Sequence, residues 1–213
     1  MAIDHMIDRL VIDLAPTRRR SIGREAALLA AIGLAELGVY LLAGAARPDL
    51  VSAAALPMLW WKVASLFLIA VLGTATALAS FSPERSPRAG LGGVAASVGL
   101  ALLVGLVLTW RYPIEGGVLD RLDYHHGLMC LWKMTALSLP PTIALGVLAR
   151  RGGSTHPGGT ALACGVGAGG WGAFVFAFAC PSDDPFYIMC WYLVGCSGVA
   201  LLTRAFLGRL LRW

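Results

Sequence analysis

The chain has 213 residues, of which 58% are hydrophobic and only 14% charged, and its formal net charge is +5 at pH 7. Apolar runs near the roughly 20 residues needed to cross a bilayer recur from end to end, so the chain reads as an integral membrane protein with no room for a soluble domain of ordinary size. No basic domain remains that could hold a duplex, which excludes direct nucleic-acid binding and makes the positive charge a matter of membrane topology.

At the N-terminus, Ile3, Met6, Ile7, Leu10, Val11 and Leu14 recur at the spacing that gathers side chains on one helix face, and Pro16 should end that helix. Its polar face carries Asp4, Asp8 and Asp13 against a single Arg9, whereas a helix lying on anionic lipid normally presents Lys or Arg. About four turns are marginal alone in water, so the apolar face needs a groove, either on a partner or on this protein's own inner loops. The first 25 residues contain no continuous apolar core, so no removable signal is expected. The expected division is a cytoplasmic partner-binding segment, residues 1–25, and a transmembrane domain, residues 26–213.

Six apolar runs follow, at 26–46, 56–81, 89–110, 127–149, 160–180 and 186–203, interrupted only by Glu36, Lys62 and Lys133. Helices are required, because hydrocarbon leaves backbone groups unsatisfied and the runs lack the alternation of a membrane barrel. The predicted fold is all-α, a polytopic bundle of six transmembrane helices with a short amphipathic helix before it. Twelve arginines fall on the side of the two termini and three, Arg47, Arg111 and Arg121, on the other. Arginine-rich loops stay in the cytoplasm, so both termini are inside and Asp120, Asp123, Asp183 and Asp184 face out.

Glu36 falls near mid-membrane and Lys62 and Lys133 in the outer third, where long stems reach toward headgroups. Glu36 with Lys62 would make a structural or switching contact, or a proton path. Leu139, Pro140 and Pro141 should kink the fourth span, and Gly165 and Gly169 have the spacing that lets helices approach closely.

Cys130 lies about one turn below the outer surface, Cys180 closes the fifth span at that level, and Cys190 stands one turn into the sixth. If the fourth and fifth spans touch, Cys130 and Cys180 are candidates for sensing by one of three chemistries. They could form a disulfide, bind a soft metal with His126 and Asp183 as further ligands, or react as a thiol beside Lys133. No C-x-x-C pair fixes the choice, and packing is the competing account, accepted for Cys164 and Cys196.

Several segments are similar to the negative regulator of sigma F family of six-helix membrane anti-sigma factors. They are IDRLVIDLAPTRR at the N-terminus, ARPDL after the first span, CLWKMTALSLPP in the fourth, CPSDDPFYIMCWY joining the fifth and sixth, and LLRW at the end. The resemblance covers essentially the whole chain. It implies a protein of the bacterial inner membrane that sequesters an extracytoplasmic-function sigma factor at the inner face and releases it under metal or oxidative stress. The family's cysteine pair falls on Cys130 and Cys180, and the N-terminal residues Ile3, Met6, Ile7, Asp8, Leu10, Val11 and Leu14 would hold the sigma factor. One departure is that Ala179 and Ser182 stand where relatives often carry a histidine and a glutamate. The expected function is regulatory rather than enzymatic, without a cofactor unless a metal ion occupies the cysteine pair. A membrane thiol oxidoreductase would want a nearby dithiol, and an ion or metal transporter a path of polar residues, whereas the inner half of the bundle is almost bare.

Overall fold

The computed structural model describes residues 20–112 and 117–211. The amphipathic segment and all seven residues assigned to partner binding lie outside that range. Among the described residues there is no strand, and six helical spans are long and apolar enough to cross a membrane. In chain order the helices are α1 (Ile22–Leu42), α2 (Leu50–Ala53), α3 (Pro57–Ser80), α4 (Arg88–Arg111), α5 (Val118–Leu122), α6 (Tyr124–Leu137), α7 (Leu139–Arg150), α8 (Pro157–Ala177) and α9 (Pro185–Leu210). The first span starts and stops earlier than its apolar run, because Gly44 takes a left-handed φ of 73° and ends α1. The fourth span, Asp120–Arg150, takes in the end of α5 together with α6 and α7.

Residues 43–56, 112–123 and 178–184 connect the spans at one end, here the cysteine end. Residues 81–87 and 151–156 connect them at the other, the termini end. The expected kink is present between α6 and α7. Pro140 and Pro141 lack the N–H groups that would continue the ladder, and the Ser138 hydroxyl and backbone N–H both turn back onto the Met134 carbonyl, at 2.8 and 3.0 Å.

The centre of the bundle is α8, packed against α3, α6, α7 and α9. Its sequence PGGTALACGVGAGGWGAF explains the position, since glycine lets backbones approach where any side chain would intervene. A Cβ on Gly167 would stand 2.7 Å from the Thr74 amide nitrogen of α3, one on Gly165 2.7 Å from Ala200 Cα of α9, and one on Gly172 2.7 Å from the Met134 carbonyl oxygen of α6. Gly165 and Gly169 thus both face α9. By contrast α1 and α4 are peripheral, with Gly33 buried in the first and Val94 and Gly105 in the second. Leu100, Leu103, Leu106, Val107 and Trp110 of α4 point away from the protein, as side chains facing hydrocarbon would.

Two apolar clusters stack along the bundle. One, at the cysteine end, gathers Leu66, Cys130, Met134, Phe174, Phe176, Cys180, Tyr187, Ile188 and Tyr192. The other, at the termini end, gathers Leu78, Phe81, Leu145, Leu148, Cys164, Leu207 and Leu211.

Candidate functional site

The glycine contact between α8 and the α6–α7 break seats α6 low on α8. From there Cys130, one turn above Met134, meets Cys180, which follows α8 with its amide nitrogen 3.1 Å from the Phe176 carbonyl. Both thiols are buried and free, and they lie in one apolar cluster. The Tyr187 hydroxyl of α9 lies 3.1 Å from Cys130 Sγ. The Tyr192 hydroxyl, also of α9, is buried beside Cys180 and has no well-formed hydrogen bond to any described residue.

Around the pair the chain builds a charged frame. Lys62, on the second turn of α3, is only 1% exposed, and its Nζ donates to the carbonyls of Cys180 and Ser182 at 3.3 Å each. Arg47 follows α1, and its side chain is 3% exposed. Its backbone N–H donates to the Phe178 carbonyl at 2.9 Å, and its guanidinium reaches the Cys180 carbonyl at 3.5 Å. Two cations therefore occupy the C-terminal end of α8, where the helix dipole is negative and carbonyls lack intrahelical partners.

The CPSDDP linker is clamped from two sides. Arg47 grips Asp183 bidentately at 2.7 and 2.9 Å and Asp49 at 2.7 Å twice. Arg121 grips Asp184 at 2.6 and 2.9 Å and lies over the Phe186 ring, while Asp184 caps α9 by accepting from the Phe186 amide. The hydrogen bonds it donates to Asp49 and then Asp183 push the Arg47 guanidinium still higher, and Arg47 in turn holds the Asp49 carboxyl below the usual range. The Cys180 thiol is held below its ordinary value by the hydrogen bond from Cys130 and then by the Lys62 charge, against the opposing effect of burial.

The four expected metal ligands, His126, Cys130, Cys180 and Asp183, are not brought together as a site. His126 is 73% exposed and turned to Asp123, at 2.7 Å, because Asp123 caps α6 from a left-handed backbone position. Asp183 spends both oxygens on Arg47. Among the described residues no group of three or more His, Cys, Asp or Glu side chains could hold a metal ion.

One further expectation is corrected. Glu36 does not meet Lys62; it accepts from Trp171 Nε1 at 3.1 Å, because α1 packs on the face of α8 that carries Trp171, away from the Lys62 end of α3. Lys133 is exposed on the helix of Cys130, and a second, buried cation, Lys62 of α3, donates to the Cys180 carbonyl. Cys190 is half-buried outside the cluster that holds the pair, Cys164 lies in the far cluster, and the Cys196 thiol donates to the Gly169 carbonyl at 3.6 Å.

The sequence profile of the family negative regulator of sigma F matches residues 10–213. The chain belongs to that family. It is 31% identical over 216 residues to the anti-sigma-F factor NrsF of Caulobacter vibrioides (strain NA1000 / CB15N), and the match covers 100% of both chains. No solved structure matches. The side chains around the thiol pair that sequence reasoning did not place there are Lys62, Arg47, Tyr187 and Tyr192. Their signals were present as an ammonium in an apolar run, opposite charges in ARPDL and SDDP on one side of the bundle, and two tyrosines in the segment that follows Cys180.

Proposed function

We propose that the protein is a membrane-embedded anti-sigma factor of the bacterial inner membrane, with both termini in the cytoplasm, that sequesters an extracytoplasmic-function sigma factor and releases it when Cys130 and Cys180 are oxidised at the outer face. Family membership supports the anti-sigma role. The observation that carries the sensing role is the meeting of Cys130 and Cys180, which are 50 positions apart and come from different spans, in one buried cluster at the cysteine end. In the reaction two thiols give up two electrons and two protons to a peroxide, which leaves as an alcohol or water and a second water, and an S–S bond forms.

The N-terminal residues Ile3, Met6, Ile7, Asp8, Leu10, Val11 and Leu14 provide the docking face for the sigma factor. Oxidation lowers sigma affinity only if the oxidised bundle binds it less well than the reduced one, so the two ends must be mechanically linked. A continuous set of contacts supports such a link. Cys130 sits on α6, α6 breaks into α7 at Ser138, and α7 leads to Gly153, whose N–H donates to the Phe81 carbonyl at 3.0 Å. Arg20, the first described residue, lies over the Phe81 ring at 4.6 Å and pairs with Glu25. Arg20 therefore lies where α7 ends.

The test is co-purification from native membranes, comparing the full chain, a deletion of residues 3–15, and a Cys130→Ser, Cys180→Ser double variant, each with and without peroxide. A sigma factor should accompany the full chain, be lost with the deletion, and stay on the double variant after oxidation. Capture of no sigma factor, or unchanged release from the double variant, refutes the proposal.

A further inference from the structure

The thiol pair is closed off at the cysteine end of the bundle. Cys180 is 0% exposed and Cys130 7%. The linker that follows Cys180 is pinned by Arg47 through Asp183 and by Arg121 through Asp184. Beneath it Arg47 and Lys62 both donate to the Cys180 carbonyl, and the Tyr187 hydroxyl lies against Cys130 Sγ. An oxidant arriving from water would therefore have to open bidentate, charge-assisted contacts before it met sulfur.

The lateral side of the pair is built differently. Gly105 draws α4 onto its neighbours, since a Cβ there would stand 2.6 Å from Met189 Sδ of α9 and 2.6 Å from the Trp61 ring of α3. Beyond that contact α4 and α9 part, and an apolar groove of about 350 Å³ lies between them. Its floor includes Leu162 and Val166, two half-buried positions on a helix, α8, that is otherwise nearly enclosed. Its lips, Leu193 and Leu201, are exposed, as side chains facing hydrocarbon would be. At the inner wall stand Lys62, Leu66, Ile188 and Tyr192, and the last three also belong to the cluster that encloses Cys130 and Cys180. One layer of side chains thus separates groove from sulfur. Leu66 and Ile188 hold no hydrogen bond, so a change of rotamer suffices to open that layer. The Tyr192 hydroxyl, buried with no well-formed hydrogen bond to any described residue, offers a donor on the thiol side of it.

We propose that the groove between α4 and α9 is the entry site for the oxidant, and that this oxidant is an organic hydroperoxide, an uncharged molecule with a hydrocarbon body that reaches the pair from the bilayer. The inference rests on the reading of the chain as membrane-embedded and of Cys130 and Cys180 as an oxidant-reactive pair. The lining selects the class. A hydrocarbon body buries itself against Val98, Leu102 and Leu193, whereas a small, strongly hydrated oxidant would give up its water to a wall that returns few hydrogen bonds. Past the wall the Tyr192 hydroxyl donates to the peroxide. One sulfur attacks the terminal peroxide oxygen, the O–O bond breaks, and the alkoxide leaves as an alcohol with that thiol's proton. The second sulfur then displaces the hydroxyl of the sulfenic acid, which leaves as water with the second thiol's proton, and the S–S bond forms. The alcohol returns to the bilayer by the same groove.

The experiment follows the rate of Cys130–Cys180 disulfide formation in the reduced full-length chain in lipid nanodiscs, by mass spectrometry of the bridged peptides, with cumene hydroperoxide and with hydrogen peroxide as the two probes. Val98→Phe and Ser197→Phe fill the groove from its α4 and α9 walls. In the unmodified chain cumyl alcohol, which has the same body without the O–O bond, serves as a competing occupant. Each filling and the competitor should slow cumene hydroperoxide severalfold and leave hydrogen peroxide unchanged. A cumene hydroperoxide rate that ignores the fillings and the competitor overturns the proposal, and so does equal slowing of both probes, which would make the groove a structural support. If the variants fail to assemble, competition in the unmodified chain decides by itself. A disulfide that forms independently of the groove refutes the entry site and leaves the reactive pair standing, whereas no disulfide with either probe refutes the pair and the entry site with it. A disulfide that depends on the groove yet releases no sigma factor upholds the entry site and refutes the sensing role separately.

Discussion

Replacing Gly172 by alanine should weaken the bundle and separate the two thiols, although alanine is the better helix former. A Cβ at that position would lie 2.7 Å from the Met134 carbonyl oxygen and 2.7 Å from the Ser138 amide nitrogen, with the Ser138 hydroxyl closer still. Comfortable carbon–oxygen contacts are about 3.3 Å or longer, so the helices must part by roughly half an ångström. Two of the three obstructing atoms are backbone at the α6–α7 break, where no rotamer change relieves them. Gly198→Ala is the control, since nothing lies within 4 Å of its added Cβ. Both variants gain the same helix propensity, about 1 kcal/mol, so the difference between them isolates the steric penalty, about 1–3 kcal/mol for overpacking and expected in the upper half of that range. Reversible SDS unfolding of the detergent-solubilised chain, followed by far-ultraviolet circular dichroism, measures it. Gly172→Ala should also lower the yield of the Cys130–Cys180 disulfide under limiting peroxide, read by mass spectrometry of the bridged peptides. Stabilities within 0.5 kcal/mol of each other, about the scatter of benign surface changes, together with equal disulfide yields, would refute the claim that this contact seats α6 on α8.

Arg47→Met leaves Asp183 without its cation and the end of α8 with Lys62 alone. Removal of one partner of a buried pair costs about 3–5 kcal/mol, and the partial exposure of Asp183 puts the loss near the lower figure; the double variant with Asp183→Asn should recover part of it in the same unfolding assay. The Asp49 carboxyl is held down by Arg47, so its stabilising contribution is complete above the ordinary carboxylate value of about 4 and is lost as pH falls through the lowered folded value. Unfolding of the unmodified chain and of Asp49→Asn should therefore converge at acid pH, and a constant gap down the titration would contradict this. At mid-bundle, Trp171→Phe removes the donor to Glu36, whose other oxygen is already buried and unsatisfied among the described residues. A loss of about 1–3 kcal/mol is expected. Glu36→Gln, which keeps an acceptor without a charge in an apolar span, should be neutral or stabilising, and a loss comparable with that of Trp171→Phe would show that the carboxylate itself is needed.

Much of the architecture could be read locally. Run length fixed the six spans, because a helix must cover the hydrocarbon and satisfy its own backbone. Pro140 and Pro141 marked the break at Ser138, and Gly44 explains the early stop of α1. The candidate site was only half legible. Cys130 and Cys180 stood at matching depths in adjacent spans, and the structure brings them together. His126 and Asp183 stood at permissive spacing too, but spacing along a helix says nothing about competing partners, and a helix cap and an arginine clamp took them instead.

What the amino-acid sequence determined by itself is a chain of six apolar helices with a proline-broken fourth span, two thiols at one end and a glycine-rich fifth span. These are properties of single segments, set by hydrophobic length, ring geometry and the missing Cβ. Tertiary structure alone decided that α8 is the hub, that Glu36 goes to Trp171, and that Lys62 from α3 is the cation held against Cys180. The physical reason is that a helix apolar on every side carries no strong amphipathic signal to fix its rotation or its neighbours. Those are chosen by where glycines allow backbones to touch and by which buried charge finds a partner, and both depend on residues tens of positions to more than a hundred positions away.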